Sequence, residues 1–278
     1  MVDWKAVQRI EKQYERALKA ISKQIQTAIG NINNPKTIIR RLKQITNQKE
    51  FQNLAEAVAL KMTTQINKKV AGNWRIAARE NSKGKQIYET LKNEMYNSNI
   101  GFDVALQVIE NAKDIKTLPL KIAEEITDYV NEMTVKGVRA SDIAEELKER
   151  IPKYSKANAS LIARTEVSRT QSALVRARAE RLGINCYIWR TSKDGRVRNS
   201  HKIMDNVIVF WNDPPSPEEL KGEKYKYGKY HAGEIFNCRC YPEPIIDINF
   251  INFPHKVYKD GVIKSMTKTQ FLTIAQRK

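Results

Sequence analysis

Gly183-Ile184-Asn185-Cys186-Tyr187-Ile188-Trp189-Arg190-Thr191 is where the chain changes texture. Upstream, apolar residues recur at intervals of three and four. From Cys186 to Thr191 the residues are aromatic and β-branched, which fits a half-buried pleated surface and predicts a strand. Gly183 predicts the end of the preceding helix, because glycine adopts the left-handed C-terminal conformation without a steric penalty. Beyond this point Asp194-Gly195 signals a tight turn. Val207-Ile208-Val209-Phe210-Trp211 is a second strand candidate, and 239–246 is a third. Pro242 and Pro244 place that third strand at an edge, where a missing N–H costs no ladder bond. Between them, Ser216-Pro217-Glu218-Glu219 has the cap, first-turn proline and acidic residue of a short helix that Gly222 ends.

Before Gly183 the pattern is helical. Val7, Ile10, Tyr14, Ala17, Ile21, Ile25 and Ala28 form one stripe, as expected for a helix with a single buried face. Asn33-Asn34-Pro35 marks a turn. Helices are predicted over 37–45 and 51–70, the latter with Leu54, Val58, Met62, Ile66 and Val70 every fourth residue and a break at Gly72-Asn73. Further helices are expected over 87–96, 102–112 and 120–135, separated by Asn97-Ser98-Asn99 and Pro119. Another starts at Ser141 and stops at Pro152, and the last spans 157–182. The fold class is therefore α+β: a mainly helical region (1–155), a small α+β domain with a short antiparallel sheet (156–246), and a tail (247–278). From His255 onward that tail carries six cations against Asp260 alone, an arm suited to DNA or another subunit.

The 278 residues include 49 lysines and arginines against 31 acidic residues, a net charge of +18. Such an excess favours polyanionic or acidic partners, nucleic acid first among them. No apolar run approaches the roughly 20 residues of a spanning helix, which argues against a membrane-spanning protein. Met1-Val2-Asp3-Trp4-Lys5 leads directly into an amphipathic pattern without the apolar core of a secretory signal. Three cysteines cannot all pair among themselves, and Cys238 and Cys240 are too close in sequence for an easy disulfide. The expected site of synthesis is a reducing cytoplasm.

Two of three histidines and two of three cysteines fall within 201–240. Thiolate and imidazole suit zinc, so His201, His231, Cys238 and Cys240 form a candidate four-ligand set. In an extended Cys-Arg-Cys the sulfurs would lie about 7 Å apart unless the backbone bends. The alternative is that the cysteines act as small buried apolar groups while the histidines bond backbone atoms and pin loops. A third reading makes Asp194, His201, His231 and the two cysteines, Cys238 and Cys240, a metal-dependent nuclease centre, with Arg196 and Arg198 on phosphate; those arginines could equally pair with Glu166 or Asp205. No phosphate loop, Gly-x-Ser-x-Gly elbow or His-Glu-x-x-His accompanies them. For DNA, the candidate contacts are Arg164, Arg169 and Arg176 on the arginine-dense helix, then Arg196 and Arg198. Lys224, Lys226 and Lys229 join them, interleaved with tyrosines that can stack on bases. The same lysine–tyrosine alternation also suits a solvated edge.

Taken in order, Ala163-Arg164-Thr165-Glu166, Gly183, Trp189, Asp194-Gly195-Arg196-Val197-Arg198 with His201, His231-Ala232-Gly233 and Asn237-Cys238-Arg239-Cys240 resemble the phage Mu F-like minor head protein family, over about 161–244. The resemblance implies a minor capsid or head morphogenesis protein of a tailed bacteriophage or prophage, made in the host cytoplasm. It would act in procapsid assembly and reside in the head interior or near the portal. The implied partners are the portal protein, double-stranded DNA bound without sequence preference, and the scaffold or major capsid protein. No catalysis is implied. One departure is His231-Ala232-Gly233, where a proline is expected after the histidine.

Overall fold

The computed structural model describes residues 2–30, 32, 34–96 and 99–275. Asn33 of the expected first turn, Asn97 and Ser98 of the expected break, and Arg277 and Lys278 of the expected arm lie outside the described residues. The elements in order are α1 (Gln8–Ile29), α2 (Pro35–Thr46), α3 (Lys49–Glu80), α4 (Gly84–Tyr96), α5 (Asn99–Lys116), α6 (Leu118–Val135), α7 (Ala140–Arg181), β1 (Cys186–Arg190), α8 (Asn199–Lys202), β2 (Val207–Phe210), α9 (Pro217–Lys221), β3 (Tyr241–Pro244), β4 (His255–Lys259), β5 (Val262–Met266) and α10 (Lys268–Ala275). The class is α+β, as expected.

The chain forms two compact units. One unit takes Gln8–Thr64 and Leu106–Glu166; the other takes Met1–Val7, Gln65–Ala105 and Val167–Lys278. Helices α3, α5 and α7 supply residues to both, and only the Val7–Gln8 boundary falls outside a helix, just before α1.

In the helical unit α1 buries Ile10, Tyr14, Leu18, Ile21, Ile25 and Ile29. Leu18 and Ile29 replace the expected Ala17 and Ala28, because the larger neighbouring side chains remove more apolar surface from water; Val7, also expected in the stripe, lies just ahead of α1. Helix α2 is capped by Asn34, whose side chain accepts the Thr37 N–H at 3.2 Å.

Two expected breaks are absent. Pro152 lies inside α7, where proline costs about 3 kcal/mol. It faces solvent, while Leu147, Ile151, Ala159 and Ile162 on either side are buried. Burial of each large apolar side chain contributes roughly 1.5–3 kcal/mol, so the stripe outweighs one lost bond. Likewise α3 continues through Gly72 and Asn73. Asn73 Nδ2 donates to the Asp3 carbonyl at 2.7 Å, and Trp74 meets the Trp4 ring with centroids 4.9 Å apart.

Helix α7 ends as expected at Gly183, where φ is +68° and Ile184 N–H reaches back to the Ala179 carbonyl at 2.8 Å. The sheet that follows has the order β3-β1-β2-β4-β5. It is mixed, which corrects the expected antiparallel sheet: β2 and β4 run parallel, with Ile208 opposite Val257. The proline-bearing β3 is an edge strand, as predicted. The tail is corrected too, since 255–275 forms β4, β5 and α10 and Phe271 is buried on the sheet. Lysines 256 and 259 on β4 and 264 on the edge strand β5 concealed them, because they break the apolar pattern; on β5 the lysine also guards the open edge.

Alternation along β1 gives the sheet two unlike faces. Cys186 and Ile188 pair across with Phe210 and Ile208 and pack with Val257 and Phe271 into an aliphatic and aromatic core. Tyr187 and Trp189, opposite Val209 and Val207, look the other way toward both buried histidines.

A candidate metal centre on the polar face of the sheet

The second face is organised by His201 on α8 and by the loop 230–240. Trp189 meets the His201 ring edge-on at 5.6 Å, and Tyr187 meets His231 at 5.7 Å. Trp211 stacks on Tyr187 at 4.2 Å and meets His231 at 5.3 Å. Both imidazoles are only 2% exposed, so each ring nitrogen needs a partner inside the protein.

His201 has two sets of neighbours. On one side its Nε2 lies 2.9 Å from the Tyr230 hydroxyl. That hydroxyl donates to Glu218 Oε1 at 2.6 Å, and Ser200 Oγ donates to the same oxygen at 3.2 Å. Burial, followed by the bond to Glu218, raises the Tyr230 phenol well above its ordinary value, so the proton stays on tyrosine. With that proton committed to Glu218, the tyrosine oxygen accepts from His201, which fixes the hydrogen on Nε2. Nδ1 is the ring nitrogen left to the cysteines. It faces Cys238 Sγ at 3.5 Å and Cys240 Sγ at 3.4 Å.

The two sulfurs converge because the backbone bends. Asn237 takes a left-handed conformation at φ +57°, Cys238 N–H bonds the Ile235 carbonyl, and Cys240 N–H donates to Cys238 Sγ at 3.3 Å. The three ligand atoms lie within 4.8 Å of one another, instead of the wide spacing of an extended Cys-Arg-Cys. The Cys240 thiol bonds Cys238, which holds the Cys238 thiol below its ordinary value and pushes Cys240 above it.

His231, the fourth member of the expected set, is not part of this trio. Its Nδ1 meets the Tyr187 hydroxyl at 3.1 Å, and its own N–H donates to Glu234 Oε2 at 2.6 Å. Burial, with a smaller contribution from Arg176, pushes its pKa down to about 3. The imidazole is therefore neutral at pH 7, and the bond at its Nδ1 goes to a tyrosine side chain, where the loop-pinning alternative expects a backbone group. Ala232, which stands where proline is expected, donates its N–H to Tyr187 at 3.4 Å and accepts from Ser172 Oγ at 2.6 Å. Proline would lack that donor. Gly233 follows at φ +88°, and a side chain there would meet Ser172 Oγ at 2.4 Å and the Cys240 carbonyl at 2.9 Å.

Of the nuclease candidates, His201, Cys238 and Cys240 converge, while Asp194 and His231 fall outside that cluster. Asp194 pairs with Arg239 at 2.7 Å and caps its own turn through the Arg196 N–H at 3.0 Å, while the two histidines occupy the separate settings described above. Among the described residues, the converging group holds no carboxylate.

The candidate DNA contacts fall into two classes. Arg164 lies 3.5 Å from Glu11 in the helical unit. In the other unit Arg169 donates to the Glu234 carbonyl, Arg176 pairs with Glu180 at 2.8 Å, and Arg198 donates to the Phe236 carbonyl while covering the Phe236 ring. Arg178, from the same arginine-rich stretch, is buried in a two-pronged pair with Glu94. Arg164, Arg169, Arg176 and Arg198 are half-buried and each has a partner within the molecule. By contrast Arg196, Lys224, Lys226 and Lys229 are exposed, and so are Tyr225 and Tyr227 at 70% and 49%. Lys226 is 3.5 Å from Glu219.

Sequence reasoning missed Tyr230, Glu218 and Ser200. Glu218 looked like a capping residue, and Tyr230 like one more tyrosine of a solvated run. Only their burial, at 0% and 7%, sets them apart, and a burial difference between neighbouring tyrosines has no local sequence signal.

Residues 124–242 match the family model described as phage Mu protein F like protein. That interval contains His201, His231, Cys238, Cys240 and strands β1 and β2. An uncharacterized protein of Haemophilus influenzae is 26% identical over 233 residues, which is 84% of this chain and 46% of that protein. The chain thus spans about half the length of this curated relative. No solved structure matches the chain.

Proposed function

We propose, from a chain whose residues 124–242 match a phage Mu protein F-like domain, that the protein works in head morphogenesis of a tailed bacteriophage. It is a minor capsid component that sits in the virion near the portal and touches packaged DNA. The family match carries this reading. The charge of +18 supports it, since a basic protein beside dense DNA gains affinity for any sequence through counterion release. The exposed segment Lys224-Tyr225-Lys226-Tyr227-Gly228-Lys229 is the surface for that contact, combining phosphate neutralisation with stacking. Portal docking falls to the helical unit, where Leu60, Leu106 and Ile109 are exposed apolar residues of the kind that anchor protein interfaces. Among the described residues, no helix is long and apolar enough to cross a membrane.

The test has two arms. Co-expression of the full chain with the portal protein of its own phage should yield a co-purifying complex; its absence removes the portal assignment. In mobility shifts the chain should bind unrelated duplexes alike, with affinity falling steeply with salt. Replacing Lys224, Lys226 and Lys229 with alanine should lower the salt slope by about 2–3, given about 0.9 per phosphate contact. An unchanged slope moves the DNA contact elsewhere. The purified protein should cut no duplex with magnesium, manganese or zinc; cleavage would revive a nuclease role.

A further inference from the structure

The polar face of the sheet presents one histidine nitrogen to two cysteine sulfurs. Cys240 Sγ and Cys238 Sγ lie 3.4 and 3.5 Å from the same Nδ1, so three side chains that can ligate a metal bring their donor atoms together. A tetrahedral metal with bonds of about 2.0–2.3 Å to nitrogen and sulfur sets those atoms roughly 3.5–3.8 Å apart. The two nitrogen–sulfur separations, 3.4 and 3.5 Å, fall at the short end of that range, and all three atoms lie within 4.8 Å of one another. The opposite ring nitrogen is already held by Tyr230, which is in turn held by Glu218. This is the outer support that fixes the tautomer of a metal-bound histidine. All three side chains also line a small pocket walled by Ser192, Arg196 and Arg198, so a fourth ligand has access.

We propose that His201 Nδ1, Cys238 Sγ and Cys240 Sγ hold one zinc ion, with a solvent oxygen from this pocket as fourth ligand. Binding releases both thiol protons to solvent and forms two sulfur–zinc bonds. Two thiolates cancel the charge of the dication, so the buried centre is neutral and escapes the penalty of an isolated interior charge. The ion fastens α8 to the 230–240 loop and supplies order that this loop, poor in aliphatic residues, does not obtain from packing. The site stands apart from the portal and DNA readings and fails or survives without them.

The experiment uses the full chain. Elemental analysis of protein purified from zinc-supplemented cells should find about one zinc per chain. Metal-free protein loaded with cobalt(II) should show thiolate-to-cobalt charge transfer and the visible bands of a tetrahedral ion. Cys238→Ser and Cys240→Ser should lose the charge-transfer intensity, while Cys186→Ser, on the other face of the sheet, should keep it. Tyr230→Phe retains every ligand but removes the acceptor of the Nε2 hydrogen, and should weaken cobalt binding about 10–100-fold. Should the serine variants fail to fold, the wild-type and Tyr230→Phe measurements still decide. The proposal is overturned by a folded wild-type chain that carries no zinc and gives no cobalt charge transfer. It is equally overturned by a Cys238–Cys240 disulfide in protein kept reduced, or by unchanged cobalt affinity in Tyr230→Phe.

Discussion

The two faces of the five-stranded sheet are built from alternate residues of the same strands, yet they hold together by different physics. Beneath Cys186, Ile188, Ile208 and Phe210 lies a core of Val257 and Phe271, where burial acts without direction and shape is negotiable within a methylene or so. Over Tyr187 and Trp189, rings, imidazoles and thiols meet at fixed distances, held by hydrogen bonds that depend on direction. The first face tolerates change in degree. The second fails in kind, because a displaced partner strands another group, and this is why the candidate metal centre sits there.

The difference can be broken most forcefully at Trp189, which is fully buried against His201 and Tyr230. Trp189→Ala should destabilise the unit by about 3–5 kcal/mol in chemical denaturation; a loss near 1 kcal/mol would mean that the polar face relaxes as easily as the apolar one. Gly233→Ala comes next, combining the left-handed backbone at φ +88° with contact on the Cys240 carbonyl. The expected loss is about 2–4 kcal/mol, read as a fall in denaturation midpoint at constant slope.

A pH effect should follow from His231. Its folded pKa is about 3, against roughly 6.5 in an unfolded chain, so the unfolded state binds the extra proton between those values. The contribution is present in full above about pH 6.5. As pH falls towards 3 it is lost, at up to about 1.4 kcal/mol per unit. Denaturation at pH 7 and pH 5 should show this slope in the wild type, and His231→Asn should flatten it. Equal slopes would place the histidine in a wetter setting. The smallest effect belongs to the apolar face, where Ile208→Val should cost only about 0.5–1.5 kcal/mol and leave the cobalt spectrum unchanged.

Much of the fold was legible in residue pattern. Helix stripes, the glycine stop at 183, strands β1 and β2 and the proline-marked edge strand follow from local periodicity and backbone chemistry, which act over a few residues. Where the pattern misled, a tertiary contact had overridden a local preference. Pro152 is carried by buried neighbours on both sides, Gly72-Asn73 by Asp3 and Trp4, and the lysine-bearing β4 by Val257 and Tyr258, buried at 0% and 1%. In the candidate site the residue types were visible, but their grouping was not. His201 and His231 are equivalent as letters, and only the loop's path sends one to two thiols and the other to a tyrosine.

By itself, then, the sequence determined the α+β class, the basic character and the short motifs that a phage Mu protein F-like domain carries, since each is a property of composition or near neighbours. Only the tertiary structure decided the mixed sheet, the fate of the arginines and the membership of the histidine–cysteine trio. Those depend on which side chains lose their water together, and burial is set by residues far apart in the chain.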